Sequence, residues 1–128
     1  MIENLAQAIE TVVEFRQERD WKQFHTPRQL AAALSIEAAE LQESFLWKSD
    51  DETSLYLRSK EGRAHAAEEL ADVLIYTLLL CHDLEIDPLQ AIENKIAANA
   101  TKYPVELSRS TAAKYTELHA RPNQGEDK

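Results

Sequence analysis

Apolar residues recur along the start of this chain at helical spacing. Over residues 3–19, Leu5, Ile9, Val12 and Val13 fall at i, i+4, i+7 and i+8, which is one face of a helix. The polar "RDWKQFH" interrupts that pattern, and "TPRQ" then supplies a helix start: Thr26 as N-cap, Pro27 in the first turn and Gln29 at the capping-box position. The second helix is expected to reach about Trp47. Residues 48–62, "KSDDETSLYLRSKEG", are polar and predict a loop with one short helical turn. A third helix is expected over about 63–84; its centre, "ADVLIYTLLLC", is apolar nearly all round, as in a helix buried on several sides. "EIDPLQ" repeats the start signal with Asp87, Pro88 and Gln90, and the fourth helix should run to about Tyr103, where Pro104 stops it. Four helices with short connections predict an all-α four-helix bundle over residues 1–104. Residues 105–128 are expected to form a C-terminal extension, disordered at its "RPNQGEDK" tip.

Composition agrees with this pattern. Two glycines and four prolines among 128 residues suit helices better than a turn-rich sandwich, and this length makes a single core. The lone Cys81 rules out a disulfide framework and suggests a reducing compartment. No run of 18 uncharged apolar residues occurs, and the first residues lack a signal-peptide pattern. A soluble cytoplasmic protein with no membrane partner is expected. The net charge of −9 argues against a nucleic-acid partner, because neutralising a phosphate backbone takes clustered Lys and Arg. A small phosphate ligand stays compatible with that charge if a divalent cation mediates the contact.

The candidate chemistry lies in two acidic pairs, Glu37-x-x-Glu40 within "LSIEAAELQE" and Glu69-x-x-Asp72 within "AEELADVLIY". Helical residues three apart are neighbours, about 5–6 Å between Cβ atoms, so each pair shares a face. One such pair is commonplace on a solvated surface. Two pairs embedded in apolar helices are costly unless something compensates their repulsion. A divalent cation does so directly, and Mg²⁺ prefers carboxylate and water oxygens while sharing its shell with substrate phosphates. Glu43 and Glu68 extend the acidic runs as solvated or supporting groups. Di-iron bundles need Glu-x-x-His motifs that are missing here, thiolate zinc sites need more than one Cys, and no glycine-rich phosphate loop is present.

The order Glu37-x-x-Glu40, spacer, Glu69-x-x-Asp72 resembles the signature of the all-α nucleoside triphosphate pyrophosphohydrolases, the MazG-like group. The flanking text resembles the dCTP pyrophosphatase branch in "RDWKQFHTPRQLAAAL", "EAAELQESFLWK", "EELADVLIY", "NKIAANATKYP" and "KYTEL", which together span about residues 14–118. The resemblance implies Mg²⁺, with Mn²⁺ as a substitute, on Glu37, Glu40, Glu69 and Asp72. It also implies cleavage of a nucleoside triphosphate between its α and β phosphates. A carboxylate not fully used by the metal could take the attacking water's proton, and Glu37 is the candidate.

Lys95, Asn99 and Tyr103 stand at i, i+4 and i+8 in one polar stripe, which the resemblance assigns to the phosphate tail. The aromatic residues around the acidic segments have core packing as their default. The resemblance instead assigns Trp21, His25, Trp47 and Tyr76 to a base pocket, and flat apolar walls with a few hydrogen-bonding groups suit a base. It further implies a homo-oligomer, a dimer or more often a tetramer, with pockets shared between chains, and the many apolar sides of the third helix point the same way. The substrate expected is dCTP or a modified dCTP. The two alternatives are a broad-specificity triphosphate pyrophosphatase and a non-catalytic helical oligomer that binds nucleotide or protein.

Overall fold

The computed structural model describes residues 1–120, whose regular elements are all helices, with no strand among them. Met1–Ile86 form one compact unit, and a second begins at Asp87. In the first unit, α1 (Leu5–Glu18) leads through a 3₁₀ turn (Trp21–Phe24) into α2 (Pro27–Glu43). α3 (Asp50–Arg58) and the long α4 (Lys60–Asp83) follow. α4 is the shared spine, because α1, α2 and α3 each pack against it. The second unit holds α5 (Pro88–Lys102) and two short helices, α6 (Val105–Ser108) and α7 (Tyr115–Ala120).

The start signals work as the sequence implies. The Thr26 hydroxyl accepts from the Gln29 N–H ahead of Pro27, and the Asp87 carboxylate accepts from the N–H groups of Leu89 and Gln90 around Pro88. The apolar face of α1 supplies Val13 to a core with Leu30 and Leu79, and Ile9, Val12, Tyr76 and Leu80 pack around it. α2 stops at Glu43, short of the expected Trp47, and the chain leaves it through a turn in which Trp47 takes a left-handed φ of 65°.

One expectation needs correction. Residues 48–62 are not mainly loop, since Asp50–Arg58 make a nine-residue helix. Its origin is a capping box: the Ser49 hydroxyl accepts from the Glu52 N–H at 3.2 Å, and the Glu52 carboxylate accepts from the Ser49 N–H at 2.7 Å. Residues 105–120 of the expected C-terminal extension carry two short helices, and the "RPNQGEDK" tip lies outside the described residues.

A single residue, Ser59, separates α3 from α4 and caps the latter, its hydroxyl accepting from the Gly62 N–H at 3.0 Å. So tight a corner brings α3 directly onto Gly62. A Cβ built there would collide with the Tyr56 carbonyl oxygen and sit 2.9 Å from the Tyr56 ring carbon Cδ2. Backbone cannot retreat as a flexible side chain can. Gly62→Ala should therefore destabilise the chain by about 1–3 kcal/mol in thermal or urea unfolding, despite the higher helix propensity of alanine. An unchanged or raised melting temperature would show that the corner has slack.

Candidate metal centre and adjoining cavity

The α2–α4 packing sets the two acidic pairs against each other. One carboxylate oxygen from each of Glu37, Glu40 and Glu69 lies within 4.8 Å of the other two. Asp72 does not add an oxygen to that set, but its charge reaches Glu37. Burial, and next the neighbouring Glu40 carboxylate, push the Glu37 carboxyl above its ordinary range, with Asp72 and Glu69 adding to the effect. Glu69 is partly enclosed. Its side chain is 14% exposed, Oε1 is 3.7 Å from His65 Nδ1, and Oε2 is buried with no hydrogen-bond partner among the described residues. A buried carboxylate oxygen left unpaired among like charges is costly. A hard oxygen-seeking cation would satisfy it, so the donor set fits Mg²⁺ or Mn²⁺.

On one side of this cluster is a polar hollow of about 330 Å³, walled by Glu40, Glu43, Ser44, His65 and Glu69. Asp72 belongs instead to a cavity of about 460 Å³ between α1, the 3₁₀ turn and α4. That cavity is mostly apolar, with Val12, Phe15, Ile75 and Leu79 in its walls. Three of the expected base-binding residues, Trp21, His25 and Tyr76, line it together. The His25 ring lies 6.2 Å from Trp21 and 6.4 Å from Tyr76 by centroids, and Trp21 meets Phe15 edge-on at 5.9 Å. Burial, and next the Arg16 charge, lower the His25 pKa, so its ring is neutral at physiological pH. Burial, and then Glu37 and Asp72, raise that of Tyr76, which keeps its hydroxyl protonated.

Trp47 is outside this cavity and 93% exposed. Lys95, Asn99 and Tyr103 are on the second unit; Lys95 and Asn99 are exposed, and the Tyr103 ring packs edge-on against Tyr115 at 6.2 Å.

Sequence reasoning missed Arg16 and Asp83. Arg16 lines the cavity from α1 and forms a bidentate pair with Asp83 at the end of α4, both bonds 2.8 Å, with each side chain 3% exposed. Lys22 Nζ joins at 2.7 Å from Asp83 Oδ2. The Arg16 hydrogen bonds, reinforced by Lys22, hold the Asp83 carboxyl at about 2 against burial. No local pattern announces a pair 67 positions apart.

The MazG-like family model matches residues 32–118, the stretch that carries both acidic pairs. Over 105 residues the chain is 49% identical to dCTP pyrophosphatase 1 of Mus musculus and 47% identical to that of Homo sapiens, covering 82% of this chain in each case. It spans 62% of the length of those relatives. A crystal structure of a pyrophosphatase from Archaeoglobus fulgidus is similar with a TM-score of 0.72 and 41% identity, over 81% of this chain and 99% of that one. On these grounds the chain belongs to the MazG-like family.

Proposed function

We propose that this protein hydrolyses deoxynucleoside triphosphates to the monophosphate and pyrophosphate with a divalent cation, Mg²⁺ by preference, and that dCTP or a modified dCTP is its substrate. The observation that carries this reading is the adjacency of two unlike environments. Converging carboxylates with no Lys or Arg partner among the described residues sit beside an apolar, aromatic-walled cavity of a size suited to a base, and Asp72 belongs to the cavity wall. The named relatives and the archaeal pyrophosphatase support the same chemistry.

Glu37, Glu40, Glu69 and Asp72 would hold the cation. When bound, it supplies charge neutralisation for the phosphates and a more acidic water. The chain's own groups do the rest. Glu37, which feels Glu40, Glu69 and Asp72 at once, is the candidate to accept the proton of the attacking water. Trp21 and Tyr76 offer ring faces to the base, while neutral His25 can donate through one ring nitrogen and accept through the other. Phe15, Ile75 and Leu79 exclude water from that end. Lys95, Asn99 and Tyr103 are proposed to meet the phosphate tail, as donors suited to terminal oxygens. Trp47 is proposed as a further base contact.

Incubation of a panel of triphosphates with and without Mg²⁺, followed by chromatography, tests the reading. Monophosphate and pyrophosphate from dCTP are expected only with the cation. Diphosphate and free phosphate as the main products would overturn the α–β assignment, and equal rates for all bases would favour a broad-specificity enzyme.

Assembly into a dimer or tetramer belongs to the same proposal. On α4, Leu70 and Leu74 are one helical turn apart and exposed, Leu74 by 59%, and Ile36 of α2 is also exposed. So much uncovered leucine and isoleucine on packed helices suits a symmetric partner face. Light scattering should return a multiple of 14.6 kDa at micromolar concentration; a monomer with full activity would contradict this.

A further inference from the structure

Asp83 is over-served. Arg16 satisfies both of its oxygens at 2.8 Å, and a bidentate guanidinium is enough to balance a buried carboxylate. The second partner, Lys22, is therefore not needed for charge compensation. Its own side chain is 56% exposed, so it gives up solvent freedom to reach a group that is 3% exposed. What Lys22 does add is a tether. It lies in the 3₁₀ turn between Trp21 and His25, two of the walls of the 460 Å³ cavity. Among the described residues, Lys22–Asp83 is the only ion pair or hydrogen bond that links this turn to α4. The turn is entered through Asp20 in a left-handed conformation, φ 52°, which aspartate adopts more readily than most residues, and the Gln23 side-chain amide donates to the Asp20 carboxylate at 2.8 Å. A short turn with such an entry and few backbone bonds depends on its outside contacts for its orientation.

We propose that Lys22 is a positioning residue for base recognition: by bonding Asp83 it fixes the turn against α4 and so holds the Trp21 and His25 rings at the cavity. The nucleotide part of this proposal rests on the function argued above. The orientation part does not.

Two measurements on Lys22→Met and Lys22→Arg test it. In steady-state kinetics, Lys22→Met should raise KM for the preferred triphosphate about fivefold, leave kcat within about twofold and narrow the preference among bases; Lys22→Arg, which can still reach Asp83, should restore most of the loss. In a Trp47→Phe chain, where Trp21 is the sole tryptophan, Lys22→Met should raise acrylamide quenching of Trp21 while the melting temperature stays within a few degrees. Unchanged KM and unchanged quenching would overturn the proposal. So would a fall in kcat and melting temperature together without a KM change, the mark of a merely structural bond. If the parent chain turns over no triphosphate, the function has failed, and the quenching measurement still decides whether Lys22 orients the turn.

Discussion

Glu69→Gln will remove metal-dependent hydrolysis and, without metal, make the protein more stable. The two effects have one cause. Glu69 brings a buried oxygen that no described residue pairs into a group where Glu37 and Glu40 already crowd it. Neutralising it relieves like-charge repulsion in the metal-free fold; burial and then Glu40 raise the Glu37 pKa most, and Glu69 adds to them. Yet it also deletes a hard ligand and one unit of the charge that would hold the cation. A loss of about 100-fold or more in kcat/KM is expected at saturating Mg²⁺, since even residues that only support a metal ligand cost 10–100-fold. Thermal scans should show the wild type gaining melting temperature with Mg²⁺, as any ligand of the native state stabilises it, and the variant starting higher but gaining little. A variant with near-normal turnover, or with the wild-type response to Mg²⁺, would remove Glu69 from the site.

Why the acidic pairs could be read from sequence while other features could not is a matter of range. Glu37 with Glu40, and Glu69 with Asp72, are joined by helical periodicity alone, and the apolar residues around them make the charges costly to explain away. The long helices were legible for the same reason: α1 carries a periodic apolar face, and α2 and α5 open on cap-plus-proline signals that the structure bears out. α3 was missed because its polar composition outweighed the Ser49–Glu52 box that starts it. Grouping Trp21 and His25 with Tyr76 came from resemblance, not pattern, since the turn and α4 meet only in three dimensions. The Arg16–Asp83 pair had no signal at all. Among 14 basic and 23 acidic residues, nothing local marks these two as the ones that end up buried together.

That pair carries the second large effect. Asp83→Asn should cost about 3–5 kcal/mol, because it leaves the Arg16 guanidinium buried without a counter-charge. The cost is not the worth of the pair itself: Arg16→Met with Asp83→Leu removes both charges and should unfold much closer to the wild-type midpoint. Acid separates the two cases further. Asp83 is held at about 2 against its usual 3.8, and a carboxyl lowered by folding stabilises the native state above its unfolded value. That contribution, about 2 kcal/mol, is present at neutral pH and drains away as pH falls from about 4 towards 2. Urea midpoints measured from pH 6 down to pH 2.5 should therefore drop more steeply for the wild type than for the double variant. Parallel curves would mean that Arg16 and Asp83 keep their solvent in solution and that the clamp across α1, the 3₁₀ turn and α4 is weak.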